Sequence, residues 1–376
     1  VVSMRSAPVD SFHPGDPIHT ALINLARAGV KGSPSNVRKV ANQLIRRVPE
    51  GISDAEAFRV ALHDAISVAP GTELLMSGES LPMEAGGAGP LVDVDVSPDG
   101  SGLVLPPKVQ AELDEIVLER KRDSLLALRG MTPSHSALFS GPPGVGKTLA
   151  SRWVAEQVDL PLVSLDLAAV LSSYLGTSGR NIRDVLNFAK STPCVLLLDE
   201  FDALAKARDD DSDVGELKRI VNVLLVELDR WESRSFLIAA TNHAQLLDPA
   251  IGRRFDRIIN FPLPGLRERE ILIAEKATGA LDTAITRAIA EITEGSSPSD
   301  LTRLIERAGR RSILYEAPFE RVLLTELISA SPASGKKRDV IWQRLHREFG
   351  LSLRAIADLA GVSHPTVSQA IRRIEK

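Results

Sequence analysis

Along this chain the spacing of apolar positions switches between a helical period and short unbroken runs, and the switches mark its predicted elements. Between residues 17 and 70 the apolar positions recur at three- and four-residue steps, as in Ile18, Leu22 and Leu25 and again in Val37, Val40, Leu44 and Ile45. That spacing predicts a small helical domain over 17–76, with Ser35 and Ser53 as N-caps and Pro49, Gly51, Pro70 and Gly71 at its ends. From 77 to 102 the sequence is rich in Gly, Pro and acidic residues and reads as a linker, with one short alternating segment at Leu91–Val96. From Leu103 the pattern changes to short apolar runs, SALFSG, PLVSLDL, CVLLLDE, SFLIAATN and RIINF, separated by amphipathic stretches. Runs of this kind suit strands buried on both faces, and their alternation with helices predicts an α/β fold built on a parallel sheet over 103–264. Residues 265–328 are helical throughout, broken at GSSPS. A second linker is expected at 329–338 and a three-helix pattern at 339–376.

Composition narrows the class. The chain has 376 residues, 44% hydrophobic and 25% charged, so disorder throughout is excluded and two or three domains are expected. Net charge is −4, which leaves no global field for nucleic acid or an anionic membrane; any such contact must be local. A lone cysteine, Cys194, excludes an intrachain disulfide and sits in an apolar run, as a buried small hydrophobe does. No run reaches the ~20 apolar residues of a membrane span, and the first ten residues lack a signal-peptide core, so the expected location is the cytoplasm.

The chemistry concentrates between the predicted strands. Gly141, Pro142, Pro143, Gly144, Val145, Gly146, Lys147 and Thr148 match G-x-x-x-x-G-K-[ST], directly after the strand ALFS and before the helix that Leu149 continues. Glycines there let backbone N–H groups turn toward phosphate oxygens, and the helix N-terminus adds its positive end. Lys147 would face the β and γ phosphates, and the Thr148 hydroxyl would ligate Mg²⁺. On the strand VLLLDE, Asp199 is placed to hold the same ion through water and Glu200 to orient and deprotonate an attacking water. These are Walker A and Walker B signatures, and they imply ATP and Mg²⁺.

GPPGVGKT, LLLDEFDALA, LIAATNH and LLDPAIGRRFDRIINFPLP together resemble the AAA branch of the AAA+ ATPases, the last segment looking most like the meiotic clade. The resemblance covers 103–328. It implies a P-loop AAA+ sheet domain with a small helical lid, and a hexameric ring with ATP between subunits. It makes Asn242 the residue that positions the lytic water, and Arg253 and Arg254 the fingers reaching a neighbour's γ-phosphate. Taken alone, the arginines read as a solvated basic pair. Two departures stand out: no Asp-Ile-Gly-Gly motif precedes Gly141, and Pro298 occupies a usual glycine position. Tyr174, Leu175 and Gly176 resemble the pore loop of AAA unfoldases, where an aromatic on a glycine hinge grips extended polypeptide; the alternative is a Tyr packed on its own domain. The charged stretch KARDDDSDVGE stands at the second pore-loop position or is simply solvated. VGELKRIVNVLLVELDRW is similar to bacterial AAA ATPases paired with subtilisin-like serine proteases.

The last forty residues carry a separate signal. Ala357, Gly361, Val362 and Val367 fit a helix-turn-helix, with Ser363 capping a second helix that would present His364, Thr366, Gln369 and Arg372 to a DNA groove. Residues 336–376 hold nine Lys/Arg against four Asp/Glu, and Arg354, Arg372 and Arg373 are candidates for phosphate. The alternative is a trihelical module that binds protein or packs on the ring. The leading expectation is therefore an ATP-driven, ring-forming remodeller or unfoldase of protein substrates, with a partner protease supplying any proteolysis. The rival is a DNA-directed ATP switch.

Overall fold

A computed structural model describes residues 81–83, 89–173, 178–206, 214–231, 234–247, 249–330 and 335–374, together with Leu44, Val48 and Phe58. The chain divides into two units, Val1–Ser80 and Leu81–Lys376. The helical domain expected over 17–76 lies outside the described residues apart from those three positions. Among the described residues no helix is long and apolar enough to cross a membrane.

The five apolar runs are strands. β2 (Ser136–Ser140), β3 (Leu162–Asp166), β4 (Val195–Asp199), β5 (Phe236–Thr241) and β6 (Arg257–Asn260) form a parallel sheet. β2 and β5 are buried at every position, as strands covered on both faces must be. With the short strand β1 (Asp93–Asp95) at one edge, the strand order is β1-β3-β4-β5-β2-β6, so β2 lies inside the sheet between β5 and β6. One face is covered by α1 (Pro107–Lys121) and α3 (Lys147–Gln157); Leu113, Ile116 and Val154 meet Phe139, Leu197 and Ile238 in one buried cluster. The short α2 (Asp123–Ala127) follows α1. The other connections are α4 (Leu167–Ser173), α5 (Ser178–Ser191), α6 (Ala203–Lys206), α7 (Val214–Asp229) and α8 (Pro249–Gly252).

The stretch 77–102, expected to be a linker, is in part a piece of the sheet. β1 (Asp93–Asp95) pairs antiparallel with β3, and Asp95 takes an ion pair from Arg152 of α3 at 2.6 Å. Gly100 then lies so close to α3 that an added Cβ would stand 2.5 Å from the Trp153 Cα, and its N–H donates to Glu156. Gly100 serves close approach and Asp95 pairing, which a spacer would not need.

After β6 the chain is helical: α9 (Leu266–Lys276), α10 (Thr283–Ile292), α11 (Pro298–Leu314), α12 (Phe319–Ala330), α13 (Lys336–Glu348), α14 (Leu353–Ala360) and α15 (His364–Ile374). Caps explain the starts. The Asp282 carboxylate accepts from the Ile285 N–H, Ser297 and Asp300 form a capping box around Pro298, and the Ser352 hydroxyl accepts from the Ala355 N–H. Gly361, at φ 64°, ends α14 in the left-handed conformation. The expectation of a spacer over 329–338 followed by a separate module is corrected here: α12 runs to Ala330, α13 begins at Lys336, and one apolar cluster is continuous from Ile305 and Leu323 to Ile341, Leu345, Ile356 and Val367. The reason is α12, whose Leu323, Leu324, Leu327 and Ile328 are all buried and which touches α11, α13 and α14.

Candidate functional site

The carboxyl ends of β2, β4 and β5 converge on one cleft. This is where ligands bind in open α/β sheets, because the helix N-termini and loop amides point there. After β2 the chain turns through Gly141, Gly144 and Gly146, all at positive φ, and enters α3 at Lys147. At Gly141 only hydrogen fits: a Cβ would lie 2.1 Å from the Phe261 carbonyl oxygen. Lys147 is 7% exposed. Its Nζ donates to the Gly141 oxygen at 2.7 Å, the Pro142 oxygen at 3.0 Å and the Asn242 Oδ1 at 2.8 Å. Burial pushes its pKa down, against the opposing pull of the Asp199 and Asp202 carboxylates. The Thr148 hydroxyl donates to the Asp199 Oδ2 at 3.1 Å.

β4 ends in a sharp reversal. Glu200 has φ 51°, a left-handed conformation that costs a non-glycine residue ~1 kcal/mol or more. The Asp199 carboxylate accepts from the Glu200 N–H at 2.9 Å, and the Phe201 N–H returns to the Ala240 carbonyl of β5 at 2.9 Å. This leaves the Glu200 side chain exposed on the cleft wall. Asp202, two residues on and buried, accepts from the Thr241 hydroxyl and the Asn242 N–H, each at 3.2 Å. It fixes the end of β5 and with it the Asn242 amide.

The opposite wall is helical. The Ser299 N–H at the start of α11 donates to the Gly144 carbonyl at 3.1 Å, and Pro298, Thr302 and Arg303 line the cleft beside Leu272 and Lys276 of α9. Gly102 closes the same side. The cleft has a volume of about 530 Å³, within the range of small-molecule sites. Among the described residues no group of three or more His, Cys, Asp or Glu could hold a metal by itself.

The expected site residues divide clearly. Pro143, Gly144, Gly146, Lys147, Thr148, Leu149, Asp199, Glu200 and Asn242 line one cleft, and Gly141 and Pro142 face it through carbonyls bound to Lys147. The Val145 side chain is buried in the core. Arg253 and Arg254 line no part of the cleft of their own chain; they follow α8, exposed, with Arg254 ion-paired to Asp229 at the end of α7. Phe255 beside them packs edge-on against Phe201, ring centroids 5.8 Å apart. Tyr174, Leu175 and Gly176 lie outside the described residues, as does most of KARDDDSDVGE. His364, Gln369 and Arg372 are exposed on α15, whereas Thr366 is half-buried, its hydroxyl 2.8 Å from that of Ser363. Sequence reasoning missed Asp202, Gly102, Leu272, Lys276, Thr302 and Arg303. Asp202 could have been found as a carboxylate just past a buried strand, a place where it needs a partner. The α9 and α11 residues carry no local signal, since only the docking of those helices brings them to the cleft.

Residues 137–263 match the family model described as ATPase family associated with various cellular activities (AAA). Over this segment the chain is similar to AAA-family ATPase domains. An uncharacterized AAA family ATPase, y4kL of Sinorhizobium fredii, is 46% identical over 220 residues, covering 56% of this chain and 66% of the relative. A proteasome-activating nucleotidase of Aeropyrum pernix is 36% identical over 219 residues, 56% of this chain and 53% of that one. The chain thus spans part of the length of the curated relatives it matches. The crystal structure of a FIGL-1 AAA domain superposes with TM-score 0.55 at 24% identity, covering 69% of this chain and 93% of the other, a likeness of fold alone. Within the matched segment the sheet, the loop 141–146 and the Asp199–Glu200 turn are the parts that shape the cleft.

Proposed function

We propose that the chain binds ATP with Mg²⁺, hydrolyses it in a ring of like subunits, and uses the cycle to remodel protein substrates. One observation carries the chemistry: the Thr148 hydroxyl and the Asp199 carboxylate are 3.1 Å apart at the mouth of a glycine loop whose lysine is already buried. Two hard oxygen donors of this kind fit Mg²⁺, which takes few protein ligands and completes its shell from phosphates and water. When bound, the ion neutralises charge on the β and γ phosphate oxygens. Lys147 exchanges its carbonyl partners for the same phosphates, and the loop N–H groups hold them in place. Glu200, unpaired with any cation in the described structure, accepts the proton of the attacking water, and Asn242 positions that water from the neighbouring strand. Arg253 and Arg254 act on the nucleotide of the next subunit, so turnover requires assembly.

The proteasome-activating nucleotidase among the relatives supports a protein substrate. On this reading Tyr174, Leu175 and Gly176 grip the substrate, and the segment 214–231 supports a subtilisin-like protease as partner. A pull-down with Glu200→Gln tests it: the variant should bind ATP, fail to hydrolyse it and retain the polypeptide it engages. Wild-type turnover by Glu200→Gln would remove the catalytic assignment, and Tyr174→Ala with intact remodelling would remove the grip.

A second reading is favoured by a specific observation at the other end of the chain. Ala357 and Val367 are buried at the contact of α14 with α15, Gly361 makes the left-handed turn, and α15 exposes His364, Gln369, Arg372 and Arg373. On this reading duplex DNA is a partner and ATP controls its engagement.

A further inference from the structure

The basic tail is built into the core that carries the helical wall of the nucleotide cleft. α11 touches the glycine loop through the Ser299 N–H and lines the cleft with Thr302 and Arg303. One turn further along, Arg307 and Arg311 both ion-pair with Glu326 of α12, whose carboxylate side chain is 3% exposed. α12 in turn packs on α13 and α14. From α10, Glu291 takes an ion pair from Arg344 of α13. Asp339 of α13, 4% exposed, then binds Arg338 at 2.8 Å and reaches Arg373 of α15 at 3.5 Å, while Arg338 lies over the Trp342 ring at 4.4 Å. The steps from the cleft to α15 run through one shared apolar core and through ion pairs, of which those on Glu326 and Asp339 have a buried carboxylate.

The outer face of this assembly has the chemistry of a phosphate backbone contact. α15 carries no carboxylate between His364 and Ile374 and exposes Arg372 and Arg373 in its last turn, and Arg354 is exposed in the first turn of α14, the helix packed on α15. Its N-terminal residues Ser363, His364 and Pro365 are also exposed, as the leading end of a groove-reading helix must be. The whole chain is acidic, so this cationic face stands against the net charge.

We propose that duplex DNA binds α15 through Arg354, Arg372 and Arg373, and that duplex and nucleotide are linked ligands because α15 and the α11 wall of the cleft move as one body. This rests on the second reading above and extends it from a partner to a regulation. Linkage is reciprocal: if nucleotide in the cleft changes the affinity for duplex by some factor, duplex changes the affinity for nucleotide by the same factor. A module on a flexible spacer would show no such factor.

The test uses full-length Glu200→Gln and a fluorescent duplex of about two helical turns. Anisotropy is read with ATP, with ADP and without nucleotide, at a protein concentration where sedimentation gives the same species in all three. The expected result is a duplex affinity that differs at least ~5-fold between nucleotide states, and an ATP affinity that shifts by the same factor when duplex is added. Combined Arg354→Ala and Arg372→Ala should weaken binding and flatten the log–log salt slope by ~1.8, at ~0.9 for each phosphate no longer neutralised. Equal duplex affinity in every state overturns the linkage and leaves the DNA reading standing. No binding in low salt overturns both. An unchanged salt slope in the double variant overturns the assigned contacts.

Discussion

At the scale of single residues the cleft sets groups against their own preferences. Lys147 is buried, with its charge met by two carbonyls and the Asn242 amide, so its removal takes away the one side-chain cation at the head of the loop. Lys147→Ala is expected to abolish nucleotide binding, whereas Glu200→Gln should keep it and lower turnover by ~10²–10⁴, the usual worth of a general base. Titration with a fluorescent nucleotide beside phosphate release separates the two. Gly144 makes a different demand: at φ 76° a Cβ there would stand 2.8 Å from the Ser297 hydroxyl and 2.9 Å from the Ser299 Cβ. Gly144→Ala should therefore push α11 off the loop and weaken nucleotide binding about tenfold or more, with little change in the melting of the sheet. Burial raises the Cys194 thiol to about 12, so alkylation at pH 8 should be absent in the native protein and prompt in urea. The loop, Asp199, Glu200 and Asn242 were legible in the sequence because each sits at a fixed offset from a strand end. Asp202 was not, because its role depends on β5 lying beside β4.

At the scale of elements the start of α11 is the joint between the helical wall and the phosphate loop. The Asp300 carboxyl is held below its ordinary value first by the Ser297 hydroxyl and then by Arg303. A depressed folded-state pKa contributes stability that is full above the ordinary value of 3.8 and is lost as pH falls through the lower folded value. Ser297→Ala should remove the cap at a cost of ~1 kcal/mol and reduce that acid-side dependence to the part Arg303 sustains, measured by urea unfolding at neutral pH and near pH 3. The strands and most helices were legible because apolar runs and caps are local. β1 showed only as the short alternation at Leu91–Val96, and its pairing was hidden because three residues of an edge strand do not say which strand they join. The attachment of α13–α15 was hidden because the signal was a helix, α12, apolar on more than one side, and periodicity alone says nothing of what covers the second side.

At the scale of the whole molecule the core shared by α9–α15 makes the tail a structural member. A chain ending at Ala330 uncovers the residues of α10 and α12 that face Ile341, Leu345 and Ile356. At ~1.5–3 kcal/mol per large apolar side chain exposed, it should melt well below the full chain and aggregate, by calorimetry and light scattering. A truncated protein that melts like its parent would show the tail to be separable. Assembly has its own test. Mixing Arg254→Ala with Lys147→Ala subunits should restore part of the activity that each lacks alone, because one kind of interface then has both an intact loop and an intact finger. One local geometry also reaches up to this scale. Glu200 is held at φ 51°, where glycine or asparagine sits more easily. A library of this protein screened only for heat resistance should accumulate Gly or Asn at position 200, gaining about a degree or a few in melting temperature while losing turnover. Thermostability, followed blindly, would select a protein that binds nucleotide and cannot turn it over.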